Sequence, residues 1–449
     1  MTSSSAPAAA PGPVPSGREQ ITSAAADRSL SEIEVAWADQ LGHTLGKRLP
    51  VAGFLDQAAN ERVGFCDATL SWDVVADVHE GARLTGWRTG FPDLYATPDL
   101  DTFRLLPWRP GAGQVLGDIV DHEGNPVRTA PRTVLRRVTE RLAELGYHAE
   151  IGVEIEFFLL DPAAQPLATA VHCYSLEKLN ELDPVLTSIT EGLAGYLPVE
   201  AVTSEYGPGQ LEINIRHRDP IGAADDAFRL KYALRALARA AGARVTFMAK
   251  PFQGLSGSSM HLHVSLWRDG EPAFVPDAGA ENPLMRAAIA GVLRHLPAIS
   301  VFGAPNINSY KRFEARSYAP VTATWGADNR TAAVRSLVES GPATRIELRT
   351  PGADANPYWS VAALLATVIA GIEDNEELAP RGSGDLYGAG QPLPRTPAEA
   401  VELARSDKRI AGLLGEDAVH DYTLLVQQDW LAYITTVTGW ERDRYLELA

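Results

Sequence analysis

The chain has 449 residues, with 40 Lys and Arg against 57 Asp and Glu and a formal net charge of -17. At 45% hydrophobic and 22% charged it has ordinary globular composition, and its length calls for two unequal domains rather than one simple core. The acidity argues against a general nucleic-acid binder or an anionic membrane partner; two cysteines, Cys66 and Cys173, exclude a disulfide scaffold and a Cys-rich zinc site and fit a reducing cytoplasm.

The first 28 residues are Ser, Ala and Pro without a continuous apolar run, which reads as a disordered tail and not a signal peptide. Leu30 to Leu45 carries apolar residues at helical spacing. From Gly53 to about Gly124 short strand-like runs alternate with turn signals such as Phe91-Pro92-Asp93, so residues 29–129 are expected to form a small α+β domain. The style changes at Ala130-Pro131-Arg132. Thr133 to Leu145 is an amphipathic helix with Val134, Leu135, Val138, Leu142 and Leu145 on one side, ended by Gly146. A larger α+β domain, residues 130–449, follows, with long strands and helices that include Ala223 to Ala241. Ala355 to Ile372 is uncharged, but Asn356-Pro357 at its start and the acids Asp354, Glu373 and Asp374 around it describe a buried core helix. A membrane span wants about 20 apolar residues.

Four strands are apolar on one face and chemically loaded on the other, because strand side chains alternate with period two. Glu154 and Glu156 oppose Ile151, Val153, Ile155 and Phe157. Gln210, Glu212, Asn214 and Arg216 oppose Leu211, Ile213 and Ile215. His261, His263 and Ser265 oppose Leu262 and Val264, and Arg345, Glu347 and Arg349 oppose Ile346 and Leu348. Any one of these suits a half-exposed strand. Together they gather Glu, His and Arg instead of the usual surface Lys, Thr and Ser. Clustered carboxylates repel unless cations sit between them, and hard oxygens with an imidazole suit Mg²⁺ or Mn²⁺. Clustered arginines need anions. Such a face suits a metal-bound polyphosphate and an acid substrate, the pairing phosphoryl transfer requires.

Two loops extend the set. Glu205 lies seven residues before Glu212 across a glycine-rich turn, and Asn308 to Arg312, Asn329-Arg330 and Arg335 bring further guanidinium groups. Arg216 and Arg218 are read as surface ion pairs. There is no Walker loop, Rossmann fingerprint or nucleophile elbow.

These segments resemble the glutamine synthetase family. Val153 to Phe157, Glu205 to Glu212, Ser256 to Ser265, Asn308 to Arg312, Asn329-Arg330, Arg345 to Arg349 and Ala355 to Tyr358 occur in family order and at family-like spacing, over a match from about residue 30 to the C-terminus. The resemblance implies an N-terminal β-grasp domain, a catalytic domain with a curved antiparallel sheet, and a ring homo-oligomer, hexamer or dodecamer. It implies ATP, two or three Mg²⁺ or Mn²⁺ ions, and a γ-glutamyl phosphate that an amine attacks. Carried over by motif, Glu156, Glu205 and Glu212 would hold one ion and Glu154, His261 and Glu347 another. His263, Ser265, Arg345 and Glu200 would contact the nucleotide, with Arg335 on the phosphates. Arg312, Arg330 and Arg349 would position glutamate and the transferring phosphoryl, beside Gly257.

Departures from the family bear on the acceptor. Six residues beyond Arg312, where glutamine synthetases place a glutamate that takes a proton from ammonium, stands Tyr318; Ser256 replaces a common Asn, and Cys66 to Asp73 lacks the Asp-Gly-Ser-Ser form. A neutral tyrosine cannot replace the hydration of ammonium, but it can line a pocket for a larger amine. The expectation is a cytoplasmic ATP-dependent ligase joining glutamate to ethanolamine or a polyamine, with Glu314 able to swing into the missing role. A glutamine synthetase with a shifted loop, a guanidino kinase and a non-catalytic sensor are the alternatives.

Overall fold

Two apolar cores divide the chain, a smaller one built from residues between Ile21 and Ala130 and a larger one dominated by residues beyond it. The structure is a computed structural model that describes residues 16–448 apart from 28, 59–61, 171–172, 277–278 and 340. The smaller core lies against a five-stranded sheet of β1 (Glu32–Ala38), β2 (Thr44–Pro50), β3 (Val63–Cys66), β4 (Asp93–Leu105) and β5 (Ala112–Val120). Its order is β2-β1-β5-β4-β3, antiparallel except for the parallel pair β1 and β5.

Two sequence expectations fail in this region. Leu30 to Leu45 is not helical: it contains β1 and the start of β2. Ile33, Val35 and Trp37 enter the smaller core while Ala36 and Ala38 enter the larger one. A strand buried on both faces loses the polar alternation that would have revealed it. The tail is also shorter than expected, since Gly17–Ala26 is a helix. Ser16 Oγ accepts from the Glu19 backbone N–H and the Glu19 carboxylate accepts from Ser16 N at 2.8 Å, a capping box that satisfies two orphan donors. Ile21 then anchors the helix in the smaller core. The remainder of the tail, residues 1–15, lies outside the described residues.

The second sheet has nine strands: β6 (His148–Leu160), β7 (Val199–Ser204), β8 (Gln210–Arg218), β9 (Arg244–Thr246), β10 (Met260–Arg268), β11 (Glu271–Pro272), β13 (Trp325–Ala327), β14 (Val334–Leu337) and β15 (Arg345–Leu348). The main path runs β13-β14-β15-β10-β6-β8-β7, and β12 (Thr322–Ala323) pairs separately with β16 (Gln391–Pro392). Helices Pro131–Glu144, Pro220–Ala240, Pro283–Gly303 and Pro357–Asp374 contribute to the larger core. Val134, Leu135, Val138 and Leu142 are buried, as the amphipathic pattern requires.

Helix Pro357–Asp374 is buried from Pro357 to Gly371, and the Asn356 side chain caps it by accepting from Tyr358 N at 3.0 Å. It crosses Pro283–Gly303 so closely that a Cβ on Gly371 would run into Ala287 O and Gly291. Among the described helices it is Pro283–Gly303, not the stretch singled out by sequence, that is long and apolar enough to cross a membrane. Of its apolar window 72% is buried in the protein, which is how a core helix behaves.

One buried arginine ties the two layers together. Arg132 donates to Asp225 of helix Pro220–Ala240 at 3.0 and 2.9 Å, to Asp118 of β5 at 2.6 Å and to Asp99 of β4 at 2.9 Å, and Tyr358 Oη donates to the same Asp225. Removing the cation would strand the buried Asp225 without its ion partner. Arg132→Met is expected to lower unfolding free energy by about 3 kcal/mol in chemical denaturation, with the loss largely absent when Asp225→Asn is combined with it.

Candidate active site

Backbone pairing sets the site before any side chain is considered. Between β6 and β10, His261 lies opposite Glu154; between β10 and β15, His263 lies opposite Glu347. Between β6 and β8, Glu156 lies opposite Glu212 and Glu154 opposite Asn214. The alternate residues Ile151, Val153, Ile155, Phe157, Ile213, Leu262, Val264, Ile346 and Leu348 are buried in the larger core. The four strands read from the sequence therefore share one sheet and one loaded face.

That face floors a cavity of about 440 Å³. It takes in all six expected metal ligands, Glu154, Glu156, Glu205, Glu212, His261 and Glu347, together with Gly257, Arg312, Arg330, Arg335, Arg349 and Tyr318. A second cavity of about 410 Å³ is lined by Glu200, His263, Ser265 and Arg345, the other residues expected at the nucleotide. Glu154 borders both. Arg335 lies in the first cavity, on the phosphate side of the expectation and apart from the other four.

The grouping of possible ligands differs in detail from the sequence expectation. Ligand atoms come within 4.8 Å of one another in the sets Glu154, Glu212, His261 and Glu154, His263, Glu347. His263 thus sits among the carboxylates, with Nε2 3.1 Å from Glu154 Oε1, as well as beside Arg345. Glu156 is turned aside, its Oε2 accepting from Ser259 N at 2.8 Å and from Gln210 Nε2 at 3.3 Å.

The electrostatics split the face in two. Burial would raise Glu347, yet Arg349 and the two histidines hold it down to about 2, with Arg349 at 2.5 Å and Arg335 at 2.9 Å. Glu154 is likewise held down, against burial, by His261 and His263. On the other side no cation among the described residues forms an ion pair with the acids. Burial and Glu156 push Glu205 up to about 7, and burial with Glu154, Glu156 and Glu205 pushes Glu212 up to about 9. Carboxylates with oxygen to spare, imidazoles beside them and unmet negative charge fit a hard divalent ion.

The arginines differ in availability. Arg312 is buried, and burial lowers it to about 10. Its guanidinium donates to Thr350 O, Ser259 Oγ and Arg349 O at 2.7 to 2.9 Å. It braces the wall next to Gly257, where an added Cβ would meet Arg312 Cγ and Ala249 O at 2.6 Å. Arg330 is exposed, lines the cavity and forms no ion pair with any described residue, which leaves it free for an anionic substrate. Arg216, 69% exposed, pairs with Glu200 at 3.4 Å, as surface ion pairs do.

Glu314 does not enter the cavity. Its carboxylate meets the buried Lys250 Nζ at 3.0 Å, and Lys250 also donates to Leu255 O at 2.7 Å. The lining includes residues that sequence reasoning passed over: Cys173, Tyr174, Tyr206, Ser259, Ser317 and Ala319. Tyr206 directly follows Glu205, a signal that was there to be used. Cys173-Tyr174 belongs to no pattern. Asp67 is far less available than an exposed loop acid: it is 1% exposed and accepts from Thr89 Oγ1 at 2.6 Å.

A family model for the glutamine synthetase catalytic domain matches residues 128–445. The chain is 34% identical to a glutamate–isopropylamine ligase of Pseudomonas sp., over 94% of this chain and 96% of that protein. It is equally 34% identical to a γ-glutamylethanolamide synthetase of Streptomyces coelicolor, over 96% of each. A solved GmaS–ADP complex superposes with a TM-score of 0.85 at 30% identity, covering 95% of this chain and 99% of that one.

Burial and the neighbouring acids raise both Glu205 and Glu212 above the ordinary carboxylate range, so the ion-free protein favours protons on this side of the face. Binding of Mg²⁺ or Mn²⁺ is expected to expel roughly one to two protons per site. Calorimetry in buffers of different ionisation enthalpy measures this, and Glu212→Gln should reduce the release by about one.

Proposed function

Because this chain belongs to the glutamine synthetase family, we propose that it is an ATP-dependent ligase joining the γ-carboxylate of glutamate to a small organic monoamine. ATP enters the cavity of Glu200, His263, Ser265 and Arg345, and glutamate enters the neighbouring cavity beside Gly257 and Arg330. The γ-carboxylate oxygen attacks the γ-phosphorus, the bond to ADP breaks, and γ-glutamyl phosphate forms at the border marked by Glu154. The amine nitrogen then attacks the acyl carbon, phosphate leaves with its electron pair, and the ammonium proton is lost. Divalent ions held by Glu154, Glu156, Glu205, Glu212, His261, His263 and Glu347 would neutralise the oxygens that gain charge. Arg335 and Arg349 keep Glu347 ionised and oriented, and Arg330 offers an unpaired guanidinium to an anion.

The choice of acceptor rests on Tyr318. It stacks on Tyr206 with ring centroids 5.0 Å apart, and both rings line the cavity. No acid lines that cavity, among the described residues, beyond the five carboxylates assigned to ions. A polyamine needs an anion for its second ammonium; an alkylamine or ethanolamine needs an apolar wall. The names of the ethanolamide and isopropylamine relatives point the same way. Residues 29–129 are read as the β-grasp layer. The exposed Ile434, Val437, Trp440 and Leu446 near the C-terminus supply apolar area for a homo-oligomeric ring. The free thiols of Cys66 and Cys173 suit a cytoplasmic location.

An amine panel with ATP, Mg²⁺ and glutamate tests the reading. Phosphate release with isopropylamine or ethanolamine should exceed that with ammonium and putrescine, and Tyr318→Ala should lower kcat/KM for the preferred amine roughly tenfold. Faster turnover with ammonium would establish a glutamine synthetase instead. Glu314→Gln separates a base from an anchor. Loss of a catalytic base costs roughly 100-fold or more, whereas loss of the Lys250 tether is expected to leave the pH profile of kcat in place.

A further inference from the structure

A third cavity, of about 310 Å³, shares no lining residue with the two above. It lies where the Leu41–His43 turn and Asp73-Val74 meet Lys231 and Arg235 of helix Pro220–Ala240, Phe247, and Asp429 of helix Glu416–Thr435. The N-terminal sheet and the catalytic domain thus both contribute to its wall.

Three charged side chains in this wall lack an ion partner among the described residues. Lys231 is 5% exposed and its ammonium donates one hydrogen bond, to Ala355 O at 2.6 Å. Arg235 lies one helical turn on and rests its guanidinium 4.9 Å from the Phe247 ring centroid, with Lys231 Nζ 5.8 Å from the same ring. Two cations on one face of a helix repel each other. Burial and Arg235 push Lys231 down to about 7, against the opposing pull of the buried Asp354.

Asp429 is the third. Burial and the nearby Asp73 push it up, and neither cation figures among the influences on it. Other polar groups in the wall are engaged in part, the buried Asp354 Oδ1 being left without a hydrogen-bond partner. Asp354 Oδ2 accepts from Asn306 Nδ2 at 3.0 Å and Ser309 Oγ at 2.7 Å, His43 Nδ1 meets Asp39 at 2.8 Å, and Asp73 meets His79 at 2.9 Å. One wall therefore presents Lys231 and Arg235 together and the unpaired Asp429, with Val74, Leu425 and Val426 supplying apolar surface.

We infer that this cavity binds a small zwitterionic amino acid, its carboxylate between Lys231 and Arg235 and its ammonium at Asp429. Such a ligand satisfies all three charges at once; a lone anion or a lone amine leaves charge unmet. Occupancy would reach the glutamate cavity through the Pro305–Asn308 wall. Asn308 exchanges two hydrogen bonds with the Lys250 backbone at 2.9 and 2.8 Å, Lys250 tethers Glu314, and Arg312 lies four residues on from Asn308.

Calorimetry without ATP or turnover tests this independently of the ligase reading. The probes are 4-aminobutyrate and L-leucine, with butyrate and butylamine as single-charge controls. Roughly millimolar or tighter binding is expected for at least one amino acid and for neither control. Arg235→Gln and Asp429→Asn, both reaching solvent and so tolerant of exchange, should each weaken it by about tenfold or more, and Glu212→Gln in the ligase cavity should leave it unchanged. The inference is overturned if neither amino acid binds, if butyrate or butylamine binds as well, if binding survives both exchanges, or if it is lost with Glu212→Gln.

Discussion

Antiparallel pairing of β8, β6, β10 and β15 is the constraint on which the rest of the site depends. Backbone hydrogen bonds place Glu156 opposite Glu212, His261 opposite Glu154 and His263 opposite Glu347. A slip of one residue in any strand would send its acids or imidazoles into the larger core and its Ile, Val and Leu residues out. Packing of that apolar face thus holds the register, and the register holds the chemistry. Among the described residues, cations pair with only half of the face. Arg335, Arg349 and the histidines keep Glu347 and Glu154 ionised, while Glu205 and Glu212 are left to repel each other and hold protons.

This asymmetry gives the site its direction. The two cavities meet at Glu154, so in the proposed reaction a phosphoryl group passing between them crosses the ionised half of the face. The side the proposal gives to the amine is lined by rings: Tyr206 and Tyr318 stack there, and Tyr174 joins them. Tyr318 adopts a left-handed backbone at φ 60°, which a bulky residue holds only when its surroundings over-determine it. The Lys250–Glu314 ion pair and the bracing of Arg312 against three acceptors fix the segment leading into it.

The loaded face was legible in the sequence because alternation shows only when one side of a strand is polar, and β6, β8, β10 and β15 all meet that condition. Strand β1 does not: Ile33 and Ala36 serve two different cores, so its periodicity carried no strand signal. The helix at Gly17–Ala26 was hidden by a Ser- and Ala-rich neighbourhood, although Ser16 and Glu19 spell its cap. The motif-based sharing of acids between ions and the spacing of ligand atoms group these residues differently, and the difference turns on rotamers. Glu156 swings to the Ser259 amide and His263 reaches Glu154. Glu314 looked like a spare base in the sequence because the partner that claims it, Lys250, lies 64 residues away. The Lys231–Arg235–Asp429 cavity was beyond reach for the same reason: its walls come from elements distant in sequence.

The account stands or falls on whether glutamate's own oxygen is transferred at this face. Turnover of glutamate labelled with ¹⁸O in the γ-carboxylate, in the presence of ATP and the preferred amine, followed by ³¹P NMR of the released phosphate, reads that transfer directly. One labelled oxygen per phosphate is the predicted result; unlabelled phosphate accompanying amide formation would contradict it.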